Sequence, residues 1–124
     1  MTVEVTLWPQ VSEDYRALPS VVQFMAWKHL LRLETEPCFG QALTDHPIWG
    51  DLSDCRKVFL DESHEANPRW RIIYRLLPDE RRPKTADVII IGPREDDEVY
   101  RAIMSRLKRP LGPEHPGVEP SEKG

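Results

Sequence analysis

The chain has 124 residues with 17 basic and 21 acidic side chains, so its formal net charge is −4 and its pI is near 5.6. This length predicts one compact domain, and the acidic balance argues against a surface coated in positive charge for general nucleic-acid binding. The charge is uneven, however: residues 1–54 carry a net −5, residues 55–109 a net +3 and residues 110–124 a net −2. The positive excess therefore lies in the middle and second half of the chain.

The composition excludes several further classes of protein. No apolar run approaches a membrane span, and the stretch from Met1 to Pro9 lacks the basic and apolar regions of a signal peptide. Cys38 and Cys55 have neither zinc spacing nor a disulfide framework, and the histidines have no ligand partners at metal-binding spacing. The sequence therefore predicts a cytoplasmic protein with no membrane segment, no metal and no small-molecule cofactor.

The first third of the chain predicts a strand followed by two helices. Residues 2–8 alternate apolar and polar side chains, which is typical of a half-buried strand. A short helix is expected over residues 12–18, and a longer one from Ser20, where Ser20 and Gln23 have the spacing of a capping box. The longer helix is expected to end before Pro37. Its predicted buried stripe consists of Val22, Met25, Ala26, Leu30 and Leu33.

The second half of the chain changes to the pattern of a sheet. Residues 38–54 are rich in Gly, Pro and Asp and predict a connecting loop. Apolar segments at 56–61, 69–77 and 88–92 then predict three strands in an antiparallel meander. The last of them is apolar on both faces, as expected of a central strand covered from both sides. A final helix, capped by Asp96 or Asp97, is expected to follow.

The predicted order is β-α-α-β-β-β-α, which is an α+β domain over residues 1–109. In it the N-terminal strand, the helical hairpin and the C-terminal helix pack with an antiparallel sheet of about four strands. Residues 110–124 contain four prolines and three glycines with few apolar side chains. They are predicted to form a disordered tail.

Five candidate functional residues lie at strand ends and at the start of the last helix: Lys57, Arg71, Arg75, Arg94 and Tyr100. Taken singly, each is consistent with a solvated face or a core edge. Taken together, they are placed to converge on one concave surface. Arginine forks match phosphate oxygens and a lysine adds a compact charge, so this set favours an anionic partner.

Three segments also carry a family resemblance. They are Gly50-Asp-Leu-Ser-Asp-Cys-Arg-Lys-Val-Phe-Leu60, Arg69-Trp-Arg-Ile-Ile-Tyr74 and Ile91-Gly-Pro-Arg-Glu-Asp-Asp-Glu-Val-Tyr-Arg101. In combination they resemble the RelE/ParE superfamily of toxin–antitoxin toxins, the RelE branch in particular. The resemblance implies a RelE-like fold and a ribosome-dependent, metal-independent endoribonuclease that cuts mRNA by attack of a ribose 2′-OH on the adjacent phosphate. It also implies a cognate antitoxin that forms a hetero-oligomer with the toxin.

The resemblance assigns a role to four of the candidates. Lys57 matches a lysine that binds phosphate and helps to deprotonate the 2′-OH, and Arg71 matches the arginine that contacts the scissile phosphate. Arg94 matches an arginine that stabilises developing charge and is a candidate to protonate the leaving oxygen. Tyr100 matches a tyrosine that stacks on or orients the nucleotide. Clustered cations and an aromatic platform are what phosphoryl transfer on an unstacked nucleotide needs.

One position departs from the family pattern. A second lysine is expected two residues after the first, and this chain has Phe59 there. Phe59 is therefore expected either to stack on an RNA base or to join the core. Arg75 is the candidate to replace the lost cation in RNA binding, with His64 as another. If the missing charge limits the rate, Phe59→Lys should raise cleavage.

Three functions remain open on these grounds. The first is the ribonuclease toxin, kept inactive by its antitoxin. The second is a ParE-like inhibitor of DNA gyrase, or a degenerate RelE homologue that acts through protein binding. The third is a structural or regulatory partner whose arginines bind an acidic antitoxin. The matched site residues favour the ribonuclease, whereas Phe59 and the acidic net charge favour the second.

Overall fold

The computed structural model describes residues 2–43, 50–60, 70–93, 98–110 and 112. The elements in these ranges are β1 (Glu4–Leu7), α1 (Val11–Arg16), α2 (Ser20–Leu33), β2 (Gln41–Ala42), β3 (Cys55–Phe59), β4 (Trp70–Leu77), β5 (Thr85–Pro93) and α3 (Glu98–Leu107). The predicted α+β class and the order of the seven predicted elements are confirmed. The two-residue strand β2 is an addition within the predicted loop.

The sheet has five strands in the order β1-β5-β4-β3-β2. The pairs β2–β3, β3–β4 and β4–β5 are antiparallel, as predicted. The expectation of a wholly antiparallel sheet of about four strands is wrong, because β1 runs parallel to β5. The hairpin of α1 and α2 carries the chain from β1 to the opposite edge of the sheet, so β1 pairs with the last strand instead of the next one.

Helices cover both faces of the sheet. Ile72, Tyr74 and Leu76 of β4 belong to the apolar core on the side of α1 and α2. Ile73 belongs to a second core, formed with α3. Val88 and Ile91 of β5 belong to the first core and Ile89 and Ile90 to the second, so the predicted coverage of β5 from both sides is confirmed. Each fully buried branched side chain in these cores contributes about 1.5–3 kcal/mol through the hydrophobic effect.

A bulge in β5 interrupts the alternation of its side chains. Ile89 has no register partner on β4, since Ile73 pairs with Ile90 and Tyr74 pairs with Val88. Two consecutive side chains, those of Ile89 and Ile90, consequently face α3. A bulge of this kind adds one residue to one strand and bends it locally.

An ion pair fastens two helices to the edge of β5. Because β1 ends at Leu7, no strand of the described residues pairs with the following part of β5 on this edge. Asp14 of α1 accepts a hydrogen bond there from the Ile91 amide at 3.2 Å and binds both terminal nitrogens of Arg106 of α3 at 2.8 and 3.0 Å. The Nη1 of Arg106 also donates to the Ile89 carbonyl at 2.7 Å. One mostly buried pair therefore joins α1, α3 and β5.

A second set of polar contacts holds the segment before β2 against the sheet. The buried Tyr74 hydroxyl donates to the Pro37 carbonyl at 2.6 Å and accepts from the Gly40 amide at 3.0 Å. Burial raises the pKa of Tyr74 to about 12. Arg56 donates to the Gly40 carbonyl at 2.6 Å and forms a bidentate pair with Glu80. A Cβ on residue 40 would lie 2.7 Å from the Tyr74 hydroxyl, so this close approach requires glycine.

The predicted capping box is not formed. Pro19 occupies the N-cap position of α2 with no side-chain hydrogen bond, and Ser20 is the first helical residue. The amide nitrogen of the Gln23 side chain instead donates to the Tyr15 carbonyl at 2.9 Å. Gln23 therefore ties α2 to the end of α1, where the Tyr15 carbonyl also accepts from the Leu18 amide at 3.1 Å.

The chain after α3 returns to the start of β3. Gly50 has φ +108, and a Cβ there would lie 2.7 Å from the Pro110 carbonyl, so glycine is required at this crossing. Residues 113–124 lie outside the described residues, and the disordered tail stays a prediction. Asp96 and Asp97, the expected caps of α3, lie outside them as well. Within the described ranges, no helix is long and apolar enough to cross a membrane.

Asp14→Asn should destabilise the fold by about 2–3 kcal/mol, since it removes the charge that Arg106 binds in a mostly buried site. Urea denaturation followed by circular dichroism measures this loss. Glu13→Gln is the matched control, because Glu13 is exposed on the same helix. Equal stability of the two variants would contradict the role given to Asp14.

Candidate functional site

The face of the sheet that packs on α3 carries the candidate residues of β3. Cys55 of this strand is buried in the core beside α3. Side chains alternate along a strand, so Lys57 and Phe59 lie on the same face as Cys55, and both are half-buried. The Lys57 ammonium lies 5.2 Å from the centre of the Phe59 ring. The sequence-based expectation that these two residues share a face is correct.

Arg71 lies directly across the strand pair from Phe59. It is 3% exposed and is one of two buried polar or charged residues in the described part of the chain. Its guanidinium carbon lies 5.1 Å from the centre of the Phe59 ring. This distance is within the range of a cation–π contact.

Tyr100, in the first turn of α3, approaches Arg71 from the helix side. The Nη1 of Arg71 donates a hydrogen bond to the Tyr100 hydroxyl at 3.0 Å, and the guanidinium carbon lies 5.9 Å from the centre of the tyrosine ring. The Arg71 Nε–H is buried and meets no acceptor among the described residues. Lys57, Phe59, Arg71 and Tyr100 are referred to below as the Arg71 cluster.

The Arg71 cluster has the chemistry of an anion site. In the described part of the chain, no carboxylate lies within ion-pair distance of Arg71. Five other arginines each form an ion pair with an acidic side chain, namely Arg32, Arg56, Arg75, Arg106 and Arg109. A buried donor without an acceptor costs about 1–3 kcal/mol, and more when the group is charged. An oxyanion that reaches Arg71 would remove part of that cost. The guanidinium is held by its neighbours, so little side-chain entropy is lost when it binds.

Arg75 does not join the Arg71 cluster. Its Nε donates to Asp87 at 3.0 Å, and the same carboxylate accepts hydrogen bonds from Thr6 and Trp8. Arg75 is four residues from Arg71 on β4, so at about 3.3 Å per residue their Cα atoms are about 13 Å apart. Asp87 neutralises the Arg75 charge that was predicted to bind RNA. That role of Arg75 stays a prediction, and the structure places the side chain in a network that joins β1, β4 and β5.

Arg94 and His64 lie outside the described residues. Arg94 is the first residue after Pro93, whose register partner Trp70 precedes Arg71. The part of the chain that the structure describes contains no group of acidic, histidine or cysteine side chains arranged to hold a metal ion.

Comparison with known proteins shows likeness at the level of structure. No family model matches the chain, and no curated protein matches it in sequence. A mutant of the Escherichia coli toxin RelE in the free state superposes with a TM-score of 0.64 and 23% identity, over 86% of this chain and 99% of that one. The chain has the RelE fold.

Two solved complexes share the RelE fold with this chain. One is an E. coli RelE mutant with an antitoxin RelBc peptide, at a TM-score of 0.55 and 25% identity over 81% of this chain and 92% of that one. The other is the toxin–antitoxin complex RelBE2 from Mycobacterium tuberculosis, at a TM-score of 0.55 and 17% identity over 76% of this chain and all of that one. The RelE-like fold predicted from three sequence segments is confirmed.

One surface of this RelE fold was missed by the sequence analysis. Four large apolar side chains on the outer side of α2 are 49% to 75% exposed, namely Val21, Phe24, Trp27 and Leu31. Trp27 also lines a groove of about 310 Å³ with residues of β1, α1 and β5. The signal was present in the sequence, because α2 has more apolar residues than one buried stripe needs. These four residues are called the α2 stripe below.

Tyr100→Phe should cost about 1–2 kcal/mol of stability, because it removes the acceptor of a hydrogen bond from a buried guanidinium. The free energy of unfolding in urea checks this. Tyr15→Phe is the control, since the Tyr15 hydroxyl has no hydrogen-bond partner within the described ranges. A loss no larger than that of the control would show that Tyr100 does not bind Arg71 in solution.

Proposed function

We propose that this chain is the toxin of a toxin–antitoxin system and a ribosome-dependent endoribonuclease of the RelE branch. The observation that carries the proposal is the buried guanidinium of Arg71 in a RelE fold, whose Nε–H meets no acceptor among the described residues. It donates to the Tyr100 hydroxyl and shares the Phe59 ring with Lys57. mRNA in the ribosomal decoding site supplies the anion, and translation in the cytoplasm supplies the substrate.

The reaction proposed is transesterification at one phosphate of the mRNA. The 2′ oxygen of a ribose loses its proton and bonds to the adjacent phosphorus, and the bond from phosphorus to the 5′ oxygen of the next nucleotide breaks. The products are a 2′,3′-cyclic phosphate and a 5′-hydroxyl. No electron is exchanged, so charge stabilisation and proton transfer are the contributions required of the protein.

The Arg71 cluster supports these contributions. The fixed guanidinium of Arg71 can bind the non-bridging oxygens, on which negative charge increases in the transition state. Lys57 lies on β3, the strand beside that of Arg71, with its ammonium 5.2 Å from the centre of the Phe59 ring. From there it can bind the same phosphate and assist removal of the 2′ proton. The Tyr100 ring offers a platform for the unstacked nucleotide. Arg94, by its match to the family, protonates the 5′ oxygen.

The acidic net charge restricts the surface through which such an enzyme would bind the ribosome. Residues 55–109 contain the Arg71 cluster and carry a net +3, whereas the rest of the chain is acidic. Phosphate contacts supply much of the affinity for nucleic acid and weaken steeply with salt. Recognition would therefore depend on a local patch and be sensitive to ionic strength.

Arg71→Gln should lower cleavage of ribosome-bound mRNA by about 100-fold or more, since it removes the charge that binds the transition state. Primer extension on mRNA in a purified translation system measures the rate. Arg82→Gln is the matched control, because Arg82 is exposed in the turn between β4 and β5.

Arg94→Ala should lose activity in the same assay without loss of folding.

Other outcomes of that assay identify the alternatives. Uncut mRNA together with altered DNA supercoiling in arrested cells would favour a ParE-like inhibitor of DNA gyrase. Uncut mRNA with no growth arrest would favour a degenerate homologue that acts through protein binding. Phe59, which replaces the expected lysine, is the residue that favours these two alternatives.

We also infer that the antitoxin binds the α2 stripe. An exposed apolar face on one helix is a common feature of protein interfaces, and an amphipathic helix of the partner fits the groove beside it. The sequence of α2 contains Lys28, His29 and Arg32 but no carboxylate, and Glu36 beyond its end pairs with Arg32 at 2.8 Å. Burial, and then the charges of Arg32 and Lys28, lower the pKa of His29. The antitoxin helix is thus expected to place acidic side chains beside its apolar face, whereas a second copy of α2 would repel.

Phe24→Glu should weaken binding of the antitoxin by at least about ten-fold, because it puts a carboxylate in the centre of the α2 stripe. The partner is the product of a small open reading frame beside the gene, and calorimetry measures the affinity. Lys84→Glu, an exposed change on β4–β5 connecting residues, is the control. Unchanged affinity would contradict this surface, and a dimer that the variant dissociates would assign it to a second copy.

A further inference from the structure

Phe59 contacts both described cations of the Arg71 cluster. The Lys57 ammonium lies 5.2 Å from the centre of its ring and the Arg71 guanidinium carbon 5.1 Å from the same point. Cations at such distances are attracted by the negative charge of an aromatic face. Phe59 thus contacts two groups that repel each other.

The sheet register explains why this position links them. Phe59 is the direct register partner of Arg71 and lies two residues after Lys57 on the same face of β3. Lys57 pairs with Ile73, so Lys57 and Arg71 are diagonal neighbours. Residue 59 is consequently the one position on β3 adjacent to both side chains.

The half-buried Phe59 ring is not accounted for by core packing. Neither apolar core of the described residues includes it, although smaller side chains on both sides of it in the sequence, Val58 and Leu60, are core residues. Joining the core was one of the two expectations from sequence. The contacts observed are with charged groups instead.

We propose that Phe59 is a positioning residue, whose ring fixes the Lys57 ammonium and the Arg71 guanidinium for binding to one phosphate. This rests on the proposed ribonuclease function. In place of a further cation, the site gains an aromatic ring that holds two cations in defined positions. Correct placement of charge contributes to the rate because it removes reorganisation during the reaction. The loss of the expected lysine is then compensated by geometry instead of by Arg75.

Single-turnover cleavage of ribosome-bound mRNA by Phe59 variants tests this proposal. Phe59→Leu keeps an apolar side chain but removes the ring, and should lower the maximal rate about ten-fold with the half-saturating ribosome concentration changed by less than about two-fold. Phe59→Tyr keeps the ring and should retain the rate. Phe59→Lys should fall below Phe59→Leu, since a third cation is added beside two others.

Three results would overturn the proposal. A Phe59→Leu enzyme with the wild-type rate shows that the ring positions nothing. Weaker ribosome binding at an unchanged maximal rate shows that Phe59 stacks on a base. A faster Phe59→Lys enzyme shows that the number of cations limits the reaction.

A measurement without substrate separates this proposal from the ribonuclease function and detects misfolding. The Nε–H of Arg71 is buried among aromatic rings, so its proton resonance should be shifted by ring currents and exchange slowly with water. Phe59→Leu should reduce the shift and speed the exchange, and Phe59→Tyr should preserve both. If these changes occur while wild-type protein leaves mRNA intact, the ribonuclease function fails and the positioning stands. If wild-type protein cuts mRNA and the shift and exchange rate of the Arg71 proton are the same in Phe59→Leu as in wild-type protein, the positioning fails.

Discussion

The edge of β5 beyond the end of β1 is the constraint on which the arrangement of this protein depends. No strand in the described ranges pairs with the backbone there, and open hydrogen-bonding groups inside a fold are costly. Asp14 and Arg106 satisfy that edge through the Ile91 amide and the Ile89 carbonyl, and in doing so they hold α1 and α3 on opposite faces of one sheet. The bulge at Ile89 belongs to the same solution, because it adds a residue at the point where Arg106 binds.

The position of α3 determines the site. Once Arg106 anchors its last turn, its first turn brings Tyr100 to Arg71 on the central part of the sheet. Phe59 approaches from β3, so the guanidinium is enclosed by two aromatic residues from different elements.

A net charge of −4 is compatible with an RNA substrate under these conditions, since a few well-placed cations count for more than the average charge of the surface. The α2 helix, which has no carboxylate, offers the surface proposed for the antitoxin.

Much of this could be predicted from sequence because it is local. Periodicity located the helices and the three long strands, the apolar segment 88–91 indicated a strand covered on both faces, and family motifs brought Lys57, Arg71 and Tyr100 together. The missing features depend on residues far apart in sequence. The pair Asp14–Arg106 joins positions 92 residues apart, Asp87 neutralises Arg75, and the parallel partner of β1 is the last strand; no local pattern encodes these choices. The capping box failed for a similar reason, since Gln23 binds a carbonyl of the preceding helix.

An mRNA held in the ribosomal decoding site, with a single 2′-deoxynucleotide at the position that is otherwise cut, tests the proposed reaction most directly. The predicted result is that the all-ribose message yields a 2′,3′-cyclic phosphate and a 5′-hydroxyl, whereas the message without the 2′ oxygen stays intact at that position. Cleavage of the 2′-deoxy message at the same bond, or an all-ribose message left whole by folded protein on an occupied ribosome, would contradict it.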